Sequence, residues 1–215
     1  MKNKEIKINK NLDRNFIIFI GKSGCGKGTQ AQLLLDFMNK NKFEETHYIS
    51  TGKLIRAFTD NYLAGNTNKH TGKFIRDAIN KGIRLPTSIA IWNVMGVLIN
   101  ESQKNHNIIL DGAPRTILEH KALAETIKFF DFRKPIIIYL NLSDKDARKR
   151  LLVRGRNDDK EKSIDSRLAW YKQDVAPIIR SAKRDTFYKV IEIDASKSVE
   201  SQHKEIMKQV FNVNI

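Results

Sequence analysis

The sequence predicts a three-layer α/β domain, a parallel sheet of about five strands covered by helices on both faces. Two observations carry that prediction. Short, wholly apolar runs alternate along the chain with longer stretches whose apolar residues recur at helical spacing. The first apolar run also ends in a glycine-rich, lysine-bearing loop, residues 21–29, that opens directly into a helical stretch. In such sheets ligands collect at the carboxyl ends of the strands, so the chemistry is expected just after Ile20, Ser50 and Leu110.

Residues 16–20 read as a buried strand closed by Gly21. Residues 28–40 place Ala31, Leu34, Leu35 and Met38 at helical spacing. Residues 47–50 form a short second strand. The remaining strands are 107–110, 135–140 and 188–193. Helical patterns cover 51–58, 71–81, 87–101, 118–129, 143–154, 163–182 and 198–211. No repeat, low-complexity block or Pro/Gly-rich linker interrupts the 215 residues, so a single domain is expected. Residues 1–15, rich in Lys and Asn with no apolar stretch behind them, read as a basic tail rather than a secretory signal.

Composition narrows the partners. No apolar run reaches the roughly 18 residues that a membrane span needs. The single cysteine, Cys25, excludes an intrachain disulfide and a four-thiolate zinc site, and a reducing cytoplasm is the expected location. A net charge of +15 favours anionic partners, with nucleotides and nucleic acid as alternatives to a merely solvated basic surface. The aromatic-flanked basic ribbon of single-strand binders is missing, and acids interleave with the basic residues.

Gly21-Lys22-Ser23-Gly24-Cys25-Gly26-Lys27 satisfies the G-x-x-x-x-G-K spacing of a phosphate-binding loop. Its glycines let backbone N–H groups curl around phosphate oxygens, and the following helix points its positive end at the anion. Lys27 adds a cation near the β- and γ-phosphates. Gly24, Cys25, Gly26, Lys27, Gly28 and Thr29 are therefore the expected ATP-phosphate site. Cys25 fills a variable loop position with no redox role. A second apolar strand, Ile108-Ile109-Leu110, delivers Asp111, which on its own reads either as a turn former or as an acid that holds Mg²⁺ through its waters.

The late feature is an arginine cluster: Arg150, Arg154, Arg156 and Arg167, with Asp158 and Asp159 among them. Arg150 and Arg154 are four apart and share a helix face. Guanidinium groups neutralise the charge of a transferring phosphoryl group without losing their own proton. A solvated basic helix is the alternative.

Gly-Lys-Gly-Thr followed by Gln30, Asp111-Gly112-Ala113-Pro114-Arg115-Thr116, residues 49–56 and the arginine segment together resemble the adenylate kinase family, from Phe16 onward. That resemblance implies a reversible, Mg²⁺-dependent phosphoryl transfer from ATP to a nucleoside monophosphate, AMP first. Residues 51–85 would be the mononucleotide-binding insertion, with Thr51, Ile83, Gly112 and Glu119 at the acceptor and Arg56 and Arg115 on its phosphate. Arg150 would stack on the ATP adenine, and the backbone at Lys197 would read that base. Lys27, Arg115, Arg154, Arg156 and Arg167 would be the catalytic set, the last two also touching the acceptor. Thr29 joins Asp111 at the metal. Residues 154–163 would be a vestigial lid, since a single residue separates Arg154 from Arg156, and no zinc is expected. So short a lid should exclude water poorly. A monomer is expected.

Three departures from the family pattern matter. Lys53 stands where the family has an Asp that orders the metal's waters. Ala113 replaces a Phe. Glu119 replaces a Gln, and an ionised carboxylate accepts from the adenine amino group but cannot donate to N1. GMP is therefore the second acceptor considered, and a basic RNA- or ribosome-associated ATPase on the same fold is the rival from another class.

Overall fold

The computed structural model describes residues 14–63, 69–101 and 106–213. Its sheet consists of β1 (Phe16–Gly21), β2 (Thr46–Ser50), β3 (Asn107–Asp111), β4 (Ile136–Asn141) and β5 (Lys189–Asp194), in the order β2-β3-β1-β4-β5. Every neighbouring pair is parallel. The central strands β1, β3 and β4 are almost wholly apolar because both faces are covered, while the edge strands β2 and β5 carry polar residues.

Alternation along β1 sends Ile17 and Phe19 to one core and Phe16, Ile18 and Ile20 to the other. The first core is completed by α1 (Lys27–Lys40), α6 (Asp144–Arg154), α7 (Glu161–Trp170) and α9 (Val199–Phe211), through residues such as Leu34, Leu151, Ile164 and Met207. The second takes α4 (Thr87–Glu101), α5 (Ile117–Phe129) and α8 (Ala176–Arg184), through Leu98, Ile127 and Ile178. Two further helices, α2 (Thr51–Leu63) and α3 (Lys69–Asn80), pack on each other beside the carboxyl end of the sheet. The chain leaves β1 toward β2 on one side and reaches β4 on the other, so the crevice above β1 is a topological switch point.

Three expectations are corrected. The single helix expected over 163–182 is α7 and α8 joined by a π-helical turn, Tyr171–Val175. Pro177 lies in the first turn of α8. Proline has no N–H to donate to the preceding turn and its ring crowds a carbonyl there, which a widened turn relieves. The expected tail of 1–15 falls mostly outside the described residues, but its last two residues belong to the domain. Asn15 is buried and gives its backbone and side-chain N–H groups to Asn107 Oδ1 at 3.0 and 2.8 Å. The Arg14 guanidinium bonds the Phe130 carbonyl and lies 5.0 Å from the Phe132 ring centre. Helix α2 also runs past the expected residue 58 to Leu63.

Candidate active site

At the end of β1 the chain turns through Gly24 and Gly26, with φ of 83° and 97°, values that side chains with a Cβ rarely adopt. A Cβ on Gly24 would lie 3.0 Å from the Ala147 carbonyl oxygen and Leu151 Cγ, so the loop is pressed against α6. Gly26 caps α1 without a side chain, leaving the first N–H groups of that helix to an anion. Lys27 Nζ donates to the carbonyls of Gly21 and Lys22 at 2.9 and 2.8 Å, which holds the ammonium over the loop. Cys25 contributes backbone to the loop, while its thiol is fully buried in the first core.

Asp111 ends β3 beside the loop. Its Oδ2 accepts from Tyr48 Oη at 3.1 Å, and a Cβ on Gly28 would lie 3.6 Å from that same oxygen. Burial and the neighbouring carboxylate push the Tyr48 hydroxyl up to about 12, so it remains a donor. Lys53 Nζ lies 5.4 Å from the Tyr48 ring centre and brings a positive charge to this corner.

Thr51 opens α2 and donates to the Asp111 carbonyl at 3.1 Å. A Cβ on Gly112, whose φ is 87°, would strike Thr51 Oγ1 at 2.6 Å, so the two chain segments touch only because Gly112 has none. Arg115 donates from Nε to the Gly112 carbonyl at 2.7 Å, and its guanidinium lies 5.8 Å from the Trp170 ring centre. Burial pulls this guanidinium below its ordinary range, opposed by Glu119 and Asp111. It stays charged, as arginine does, and an anion would relieve its desolvation.

Across the crevice, Asp159 organises the arginines. It takes a two-pronged contact from Arg154 (Nε to Oδ2 and Nη2 to Oδ1, both 2.8 Å), a bond from Arg167 Nη2 at 2.8 Å and one from the Arg156 N–H at 3.1 Å. Burial raises the Asp159 carboxyl, but these donors outweigh it and hold the group at about 2. Arg167 also binds Asp158 Oδ2 at 3.0 Å. Helix α6 ends at Arg154 with Gly155 in the left-handed region, and α7 begins at Glu161, so the link between them is one short turn. Gly82 packs against Ser163, where a Cβ would lie 2.6 Å from the Ser163 carbonyl oxygen. The end of the α2–α3 segment thus touches the start of α7.

One cleft of about 950 Å³ joins these parts. Its wall includes Gly24 to Thr29, Arg150 and Lys197 together with Thr51, Arg56, Ile83 and Gly112. Asp111, Arg115, Arg154, Arg156 and Arg167 also line it. The Lys197 carbonyl accepts from Gln202 Nε2 at 2.7 Å. Glu119 is the expected site residue that does not line the main cleft. It faces a small side cavity with Thr51, Arg84, Leu85, Ala113 and Arg115. There Glu119 Oε2 accepts from the Arg115 N–H at 2.7 Å, and burial raises the carboxyl despite the bond.

Sequence reasoning missed three side chains of the site. Arg84 sits among apolar neighbours, carries a buried Nη1 with no hydrogen-bond partner and has Nε 3.5 Å from Asp174 Oδ2. A lone arginine inside Gly82-Ile83-Arg84-Leu85-Pro86 was the available signal. Tyr48 and Trp170 gave none, being aromatic residues in a strand and a helix.

A phosphate loop, a strand-end acid and a set of arginines line one cleft, the combination that phosphoryl transfer requires. The family model described as "Adenylate kinase" matches residues 19–187. The chain is 35% identical over 188 residues to the adenylate kinase of Corynebacterium urealyticum, covering 86% of this chain and 92% of that protein. It is 31% identical over 195 residues to that of Prochlorococcus marinus strain MIT 9515 (90% and 99%), and 32% over 230 to that of Buchnera aphidicola subsp. Cinara cedri (93% and 98%). The chain belongs to the adenylate kinase family and is a nucleoside monophosphate kinase. No described helix is long and apolar enough to cross a membrane.

Proposed function

We propose that the enzyme moves the γ-phosphoryl group of ATP reversibly to AMP, giving two ADP. The donor half is the phosphate loop with Arg150 and Lys197 at the base. The acceptor half is the insertion of residues 51–85. The observation that supports this reading is that one cleft is lined by the phosphate loop, by residues of the insertion and by Arg115, Arg156 and Arg167. Arginines there neutralise the transferring group and bring donor and acceptor into line. Positioning and charge supply the catalysis, with no covalent intermediate.

The acid of β3 fits a hydrated divalent cation, because Asp111 abuts the end of the phosphate loop at Gly28. Asp111, through water, and Thr29 would hold Mg²⁺, which supplies neutralisation of the β- and γ-phosphates when bound with ATP. Lys53 and Tyr48 fill the corner where the family has an acid, so fewer carboxylates order the water around the metal.

For the acceptor base, Glu119 and Arg84 divide the task that an amide performs alone. The carboxylate accepts from the adenine amino group, and the guanidinium, with its unpartnered Nη1, donates to N1. The same donor–acceptor pair matches guanine through N1–H and O6, so the preference for AMP over GMP rests on the likeness to adenylate kinases, which likewise does not favour an RNA-associated ATPase. A monomer as the working unit and the cytoplasm as its place both follow the sequence reading. Initial rates with MgATP and AMP both varied test the mechanism. Intersecting double-reciprocal lines are expected from a ternary complex, and parallel lines would show a covalent intermediate instead.

A further inference from the structure

At the opposite, amino-terminal end of the sheet, far along the strands from the cleft, a second polar cluster joins three elements. His47 lies in β2, His106 and Glu45 just precede β3 and β2, and Glu101 ends α4. His47 Nδ1 lies 2.9 Å from Glu101 Oε2, so the ring donates there and its Nε2 carries the lone pair. That Nε2 faces His106 Nδ1 at 2.8 Å and Glu45 Oε1 at 3.7 Å. One ligand atom from each of Glu45, His47 and His106 falls within 4.8 Å of the others.

We propose that Glu45, His47 and His106 form a site for a first-row divalent transition-metal ion, zinc by preference, with Glu101 as the outer carboxylate that orients His47. The separations of 2.8 and 3.7 Å bracket the value a tetrahedral ion requires. Bonds of about 2.0–2.1 Å put neighbouring ligand atoms roughly 3.3 Å apart. The carboxylate on the far imidazole nitrogen is the arrangement that fixes the tautomer of a metal-bound histidine. Two imidazoles and one carboxylate select zinc-like ions over magnesium, which prefers oxygen ligands. Glu45 is largely exposed and the histidines are mostly covered, so the fourth position opens to water. The ion would tie the end of α4 to the starts of β2 and β3, and it serves the fold rather than phosphoryl transfer. The lid-type zinc that the lone cysteine excludes is a different site.

The test is a cobalt(II) titration of the full-length, chelator-treated protein in excess Mg²⁺, followed by visible d–d absorption and reversed with Zn²⁺. One equivalent of tetrahedral-type absorption is expected, without the thiolate charge-transfer bands that Cys25 would add. His47→Ala and His106→Gln should abolish it, and Glu101→Gln should weaken binding about ten- to hundredfold. The exposed Glu45→Gln gives a variant whose folding is not at risk, and it too should weaken binding. Far-UV circular dichroism and retained kinase turnover establish that the variants are folded. No saturable absorption, absorption unchanged in the two histidine variants, or native affinity in both glutamate variants would overturn the site.

Discussion

Glu119 accepts a hydrogen bond from the backbone N–H of Arg115 at 2.7 Å, tying the carboxylate of the base cavity to the residue placed on the acceptor's phosphate. On the proposed function, base recognition and phosphate placement share one short segment, the turn that leads from β3 into α5. The same Glu119 lies at N3 of that helix, where its N–H is capped by Thr116 Oγ1 at 3.1 Å.

This arrangement predicts how substitutions at the base cavity behave. Arg84→Leu should raise the KM for AMP about tenfold to hundredfold, the usual effect of leaving a buried polar partner unpaired. Adding Glu119→Gln should restore most of the loss, since an amide both donates and accepts. Steady-state kinetics with AMP and GMP check this. A double variant no better than Arg84→Leu would remove Arg84 from base recognition.

Lys27→Ala should abolish phosphoryl transfer and leave the fold intact, because Nζ bonds only loop carbonyls and a sulfur on its own turn. Arg115→Ala should raise the KM for the acceptor and lower kcat together. Coupled ADP assays beside circular dichroism separate these outcomes, and full activity in either variant would refute its role.

The fold was legible because the three central strands are short apolar runs and the helices between them repeat at their own period. The π-helical turn was not, since Pro177 signals disruption without saying whether the chain kinks, widens or stops. The phosphate loop, Asp111 and the arginines announced themselves by spacing along the chain. Arg84, Tyr48 and Trp170 did not, because their roles come from side chains that meet across elements distant in sequence. The burial of the Cys25 thiol was equally silent, a consequence of β4 and α6 closing over the loop.

Truncating Arg154, Arg156 or Arg167 singly to Ala should cost about a thousandfold or more in kcat, as expected of arginines that neutralise a transferring phosphoryl group. Single-turnover rates measure this directly. Near-native rates in all three variants would leave the cluster as solvated surface.

Asp159 links that cluster to acid stability. Its folded value, about 2, lies below the ordinary 3.8, so between these values the unfolded chain binds more protons. The carboxylate's contribution is complete above about pH 4 and is lost as the pH falls toward 2. Denaturant unfolding across that range should show a slope that Asp159→Asn flattens. An identical slope in the variant would mean that the carboxylate is not held by its arginines.

The most direct test of the central claim is the initial rate of ADP formation from MgATP with AMP, GMP, CMP or UMP, corrected for acceptor-free hydrolysis. AMP should give the highest kcat/KM, at least tenfold above GMP on the order-of-magnitude scale set by one mismatched buried hydrogen bond. A tenfold preference for GMP, or no rate with AMP above the acceptor-free control, would contradict the account.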